Sequence, residues 1–94
     1  MPLPETFKAL ADPTRRRILD LLKKRSMPAG EIAEQFSMTG ATISHHLAVL
    51  KSAGLVSDRH EGKYIYYDLE LSVLEEMIGW FTSLTEGGNK HNET

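Results

Sequence analysis

Three short hydrogen-bonding side chains crowd one side of a single stretch of this chain: Thr42, Ser44 and His45, within residues 38–54. Hydroxyls donate and accept, and an imidazole can donate to a phosphate oxygen or to a purine N7. Ala41, Ala48 and Ser52 share their side, and no acid does. Gly40 and Ala41 matter by being small, because they let the backbone N–H groups of a helix start approach a phosphate. A protein core gains nothing from such a surface. A partner that must come close and be hydrogen-bonded would use it, and the major groove of B-DNA is such a partner. The modest alternative is that Thr42 only bonds back within its own helix.

The stretch that carries these groups reads as one helix. Thr39 is placed to cap its N-terminus. Ile43, Leu47 and Leu50 fall at i, i+4 and i+7 and form a buried stripe. Gly54 stands where a left-handed residue would end it. His46 lies about 60° from the apolar stripe, which predicts a packed, hydrogen-bonded histidine. His45, His46 and His60 do not make a metal site, since adjacent helical residues diverge by about 100° and no carboxylate is suitably spaced.

Fixed positive charge lies on either side of this helix. Arg15, Arg16 and Arg17 occupy the first turns of another helix, where cations oppose the helix dipole. Phosphate contact and salt bridging are the two roles open to them, with Arg16 the candidate for phosphate. Downstream, Arg59 and Lys63 flank a turn. The net charge is only −2, but residues 1–25 hold seven Lys/Arg against three acids, and residues 71–94 one against four. A basic front and an acidic back suit a protein that places one surface on nucleic acid.

The remaining elements follow from spacing and punctuation. Residues 4–11 predict a short helix with Phe7, Leu10 and Ala11 on one side. Asp12-Pro13 ends it and opens a second helix, to about Lys24, that buries Ile18, Leu21 and Leu22. A third, over about 28–36, turns inward Ile32, Ala33 and Phe36, and Ser37-Met38 connects it to the helix of 39–54. Two short helices at such a corner form a helix-turn-helix. Residues 55–60 and 63–69 alternate as strands about a turn at Glu61-Gly62, giving a two-stranded β-hairpin. The last helix, about 71–85, is apolar on two sides. Leu71, Leu74, Ile78 and Phe81 line one, and Val73, Met77, Trp80 and Leu84 the other. That exceeds what a small core needs to cover, so burial against a second copy is expected, with Leu3, Phe7 and Leu10 as companions. Residues 1–85 are one domain, and 86–94, rich in Gly, Asn and charge, are expected to be a disordered tail.

Several function classes are excluded or disfavoured. The chain has no cysteine, so disulfides, thiol catalysis and thiolate metal sites are absent. There is no apolar run of membrane-spanning length and no pattern of a signal peptide, so membrane insertion is not expected and a cytoplasmic location is. Neither a Ser-His-Asp arrangement nor a phosphate-binding glycine loop stands out, so the chain is not expected to be an enzyme.

The segment 11–19, Ala-Asp-Pro-Thr-Arg-Arg-Arg-Ile-Leu, resembles the second-helix opening of the ArsR-type winged helix-turn-helix repressors. Ser44-His45-His46-Leu47, continuing through Leu50, Ala53, Gly54, Leu55 and Val56, resembles that family's recognition helix and its exit. Glu61-Gly62-Lys63 with Tyr66, Tyr67 and Leu69 resembles its wing. Together these cover about residues 5–85, and within the family the chain is most similar to the small cysteine-free autorepressor branch, the sporulation-delay repressor type. The resemblance implies a homodimeric repressor acting on promoter DNA. Two departures accompany it. The family's arsenic-sensing cysteines have no counterpart in residues 30–35, and the last helix lacks the histidines of the zinc-sensing members. A smaller one is Pro28, which replaces the usual Ser or Thr cap before Glu31.

The expectation is therefore an α+β, mainly α, winged helix-turn-helix domain of about five helices and a two-stranded wing, forming a homodimer. It would bind double-stranded DNA at a palindromic operator and repress by occluding a promoter, without a cofactor or classical metal site. Its DNA contacts would come from Arg16, Thr39, Gly40, Ala41, Thr42, Ser44, His45, Arg59 and Lys63. Its dimer interface would come from Leu3, Phe7, Leu10, Val73, Met77, Trp80, Phe81 and Leu84. The competing readings are a winged-helix module that binds protein, and a metal-responsive repressor with a non-classical site. The signal is open between a protein partner, a small-molecule inducer and simple self-repression.

Overall fold

The computed structural model describes residues 3–93 in backbone and 3–86 in side chain. The last helix runs to Glu93, past the end expected at about 85, and the side chains of 87–94 in the expected disordered tail lie outside the described residues. Five helices and three strands follow one another as α1 (Leu3–Ala11), α2 (Pro13–Lys24), β1 (Met27–Pro28), α3 (Ala29–Glu34), α4 (Gly40–Ser52), β2 (Val56–Glu61), β3 (Tyr64–Leu69) and α5 (Ser72–Glu93). None of the helices, among the described residues, is long and apolar enough to cross a membrane.

Local chemistry sets most of these boundaries. The Asp12 carboxylate accepts from the backbone N–H of Thr14 at 2.8 Å and of Arg15 at 3.1 Å, with Pro13 in the first turn. Those bonds, Arg15's first, hold its carboxyl below the ordinary aspartate range. Thr39 Oγ1 accepts from the Thr42 N–H at 3.1 Å and starts α4. At the other end Leu55 N–H bonds the Leu50 carbonyl and Gly54 N–H the Lys51 carbonyl, both at 3.0 Å, with Gly54 at φ +77°. This is a Schellman stop, as the glycine implied. Pro28 gives α3 no side-chain cap, and Glu31 pairs with Arg25 instead. α3 is also shorter than its expected span of 28–36.

The sheet corrects the expected two-stranded wing. A third strand, β1, pairs antiparallel with β3 at Met27↔Tyr67 and Pro28↔Tyr66, giving the order β1-β3-β2. Two residues carry no readable alternation; β1 exists only because β3 offers it a free edge. The hairpin turn lies at Gly62-Lys63, one residue later than expected, closed by Glu61↔Tyr64. Gly62 has φ +61° and Lys63 a negative φ, the pattern of a type II′ hairpin turn.

The core lies where α2, α3 and α4 meet beneath the sheet. Ile18, Ile32, Ile43, Leu47, Leu50 and Leu55 are fully buried there, so truncating any one to alanine costs about 2–5 kcal/mol. α1 joins through its small residues. Thr6 and Ala9 are buried, and Thr6 Oγ1 donates to the Ala53 carbonyl at the end of α4 at 3.1 Å. Phe7 faces outward, and Leu10 is half-buried. The apolar stripe of α1 thus lies on its outer side, where small residues could not have signalled the inner one.

Candidate nucleic-acid interface

Capping at Thr39 and burial of Ile43, Leu47 and Leu50 together fix which side of α4 faces outward. Gly40, Ala41, Thr42, Ser44, His45 and Ala48 are all exposed on it, as the sequence implied. Thr39 and Thr42 are joined by an Oγ1–Oγ1 hydrogen bond of 2.9 Å. Their hydroxyls are therefore oriented by the helix start, each with further capacity toward a ligand. A Cβ placed on Gly40 meets nothing within 4 Å, so the backbone here is open to close approach. Lys51, in the last turn, bonds Asp58 at 2.9 Å and ties α4 to the first wing strand.

The two histidines diverge. His45 borders a shallow groove of about 430 Å³ between α1 and α4, lined also by Glu5, Lys8, Ala48, Val49 and Ser52. His46 is half-buried, its Nδ1 3.2 Å from Arg15 Nη1. The expectation of a packed, hydrogen-bonded His46 holds.

None of the three arginines of α2 makes a salt bridge among the described residues. Arg15 donates from Nε to the Ala9 carbonyl at 2.9 Å and from Nη2 to the Lys8 carbonyl at 3.0 Å. Arg16 Nη1 donates to the Leu10 carbonyl at 2.7 Å. Both arginines thus satisfy the orphan carbonyls at the end of α1, where the dipole favours positive charge. Cations that oppose the start of α2 stabilise the end of α1. Arg16 is otherwise exposed, while Arg17 lies over the Phe36 ring, 4.6 Å from its centroid.

The wing separates its two cations as well. Lys63 is exposed at the turn, its Nζ 5.6 Å from the Tyr64 ring centroid, and makes no ion pair with the described residues. Arg59 lies on the sheet face instead, held by Asp68, Glu61, Ser26 and the Tyr66 ring. Ser26 was not singled out by sequence reasoning; its position before β1 carried no signal until β1 was known.

A second surface is unusually apolar. Trp80 is 42% exposed, Phe81 45%, Leu84 53% and Ile78 63%. The Phe7 and Phe81 rings meet edge to face at 6.4 Å, so the outer sides of α1 and α5 form one surface. Leu3 and Val73 are half-buried, while Met77, at 5%, is used inside the protomer. Among the described residues, no three His, Asp or Glu side chains come together as a metal site would require.

A helix-turn-helix (α3–α4) followed directly by a hairpin on a three-stranded sheet defines a winged helix-turn-helix domain. Residues 10–59 match the family model of a helix-turn-helix domain. The chain is 49% identical over 83 residues to the transcriptional repressor SdpR of Bacillus subtilis, a match covering 88% of this chain and 92% of that protein. Among solved structures it is similar to an ArsR-like transcriptional regulator from Rhodococcus, with a TM-score of 0.89 at 26% identity over 95% of this chain and 82% of that one. It is also similar to the homodimeric winged helix-turn-helix DNA-binding domain of Mb0332 from Mycobacterium bovis. There the TM-score is 0.72 at 31% identity, with the same coverage. The chain belongs to the ArsR family of winged helix-turn-helix transcriptional regulators.

Proposed function

We propose that this protein is a DNA-binding transcriptional repressor that acts as a homodimer on a palindromic operator. The observation that carries the reading is the outward side of α4, where Thr42, Ser44 and His45 stand exposed beside an open, capped helix start with no acid among them. In a major groove these donors would reach base edges, while the N–H groups of Gly40 and Ala41 would meet a phosphate. Lys63 would reach the backbone from the wing, and Arg16 would do so with the donors left free by its bond to Leu10.

Dimerisation is supported by the exposed aromatic surface shared by α1 and α5 and by the homodimeric state of the Mycobacterium bovis relative. Leu3, Phe7, Leu10, Val73, Trp80, Phe81 and Leu84 would line the interface, with Met77 supporting them from below. A two-fold dimer would place its recognition helices about 34 Å apart, one turn of B-DNA, or at a multiple of that. Without cysteines, the protein has no thiolate metal site and no thiol redox sensor. Its role is regulation by occupancy of a promoter rather than catalysis.

Equilibrium binding to an operator duplex across salt concentrations tests this reading. With six to ten phosphates contacted per dimer, the log–log slope should be about −5 to −9. His45→Ala or Ser44→Ala should change which sequences are preferred. Binding that is weak at all salt concentrations and indifferent to sequence would contradict the proposal.

A further inference from the structure

Arg59 is placed on the wing, yet all three nitrogens of its guanidinium already have a partner. Nε donates to Asp68 Oδ2 at 3.0 Å, Nη2 donates to Ser26 Oγ at 3.1 Å, and Nη1 pairs with Glu61. The plane lies over Tyr66, 5.1 Å from the ring centroid. These partners belong to three different parts of the sheet. Glu61 ends β2, Tyr66 and Asp68 lie on β3, and Ser26 immediately precedes β1. One cation is set between two carboxylates, so the site has no net positive charge to offer a phosphate.

We infer that Arg59 is a positioning residue, a clamp that fixes the wing relative to the helix-turn-helix, and not a DNA contact. The inference deepens the DNA-binding reading and depends on it only for its functional consequence. β1 is two residues long and joins α3 directly, so its attachment to β3 links the hairpin to the helix-turn-helix corner, beside the Lys51–Asp58 tie on α4. Two backbone pairings are a weak joint. Arg59 reinforces it by reaching from β2 across β3 to Ser26. A planar fork with five donors can serve three acceptors at once; a lysine ammonium is a point charge that cannot. With the joint held, the wing tip and Lys63 arrive at DNA already oriented, and less ordering cost is met on binding.

Operator binding by four variants across salt concentrations separates a clamp from a contact. Arg59→Ala should weaken binding by about tenfold, the scale of one charged hydrogen bond, with the salt slope unchanged. Arg59→Lys should be equally weak, although it restores the charge. Lys63→Ala, in contrast, should flatten the slope by about one unit. Asp68→Ala should also weaken binding, because it breaks the clamp, even though it removes a negative charge. A contact role predicts the reverse: rescue by Arg59→Lys, a flatter slope for Arg59→Ala, and tighter binding for Asp68→Ala. Amide exchange on the free protein gives a reading independent of DNA. Arg59→Ala should speed exchange at Ser26, Met27 and residues 64–69 while the amides around Leu47 and Leu50 stay protected. Unchanged exchange at Ser26 and Met27 would overturn the clamp whatever the DNA data show. Wild-type protein that binds no operator, with exchange altered as expected, would overturn the functional reading and leave the clamp standing.

Discussion

Arg15 Nη1 lies 3.2 Å from His46 Nδ1, and a guanidinium has donors only, so in this bond the histidine nitrogen accepts. The same guanidinium holds the Lys8 and Ala9 carbonyls. One side chain of α2 therefore ties the end of the proposed dimer helix, α1, to the middle of the recognition helix, α4. His46→Ala should cost about 1 kcal/mol and lower the melting temperature by about 4–8 °C. His46→Gln, which offers a carbonyl oxygen, should recover part of the loss. Thermal unfolding followed by circular dichroism would show both. Equal melting of all three proteins would mean that the bond contributes nothing.

The cap at Asp12 makes a prediction about pH. Its folded-state acidity is strengthened chiefly by the Arg15 N–H, so its pKa lies below the unfolded value of about 3.9. A depressed carboxyl adds stability that is fully present above the unfolded value and is lost as pH falls through the folded one. The stability advantage of wild type over Asp12→Asn should therefore be constant near neutral pH and shrink below about pH 4. Urea unfolding at several pH values measures it, and an advantage that persists undiminished at pH 3 would contradict the assignment.

Two glycines, at the start of α4 and just past its end, should separate stability from binding. Gly54 has φ +77°, and a Cβ there would lie 2.7 Å from Val73 Cγ2 on α5. Gly54→Ala should cost about 1–2 kcal/mol from the left-handed backbone, and more from displacing α5. Gly40 has open space around it, so Gly40→Ala should leave the melting temperature unchanged or raise it. Its added methyl should weaken operator binding, because it stands where a phosphate would approach. If Gly40→Ala bound DNA as wild type does, the helix start would not be at the interface.

Trp80 reports on the second surface. It is 42% exposed and lies tilted against Phe81, whose ring meets Phe7. Trp80→Glu should leave the protomer folded, sediment as a monomer at micromolar concentration and lose most operator affinity. Wild-type protein that sediments as a monomer under the same conditions would remove the basis for a dimer.

What was readable in the sequence was what neighbouring residues decide among themselves. The cap at Thr39, the stripe of Ile43, Leu47 and Leu50 and the stop at Gly54 are all local, so α4 emerged with its outer side correctly turned. β1 was not readable, because Met27 and Pro28 form a strand only against Tyr66 and Tyr67, about forty residues away. The arginines were legible as functional charge, but their bonds within the protomer were not. That Arg15 and Arg16 satisfy the end of α1 depends on how α1 folds back over α2. Likewise Arg59 looked like a wing-tip cation beside Lys63. Only the register Arg59↔Tyr66, and Asp68 alongside, shows it lying on the sheet.

Selection of bound sequences from randomised duplexes, followed by footprinting of the winner, tests the central claim most directly. The account predicts an imperfect palindrome with two protected half-sites about 10 base pairs apart or at a multiple of one helical turn, and a changed preference for His45→Ala. No enriched sequence, or a single unpaired half-site bound equally by His45→Ala, would contradict it.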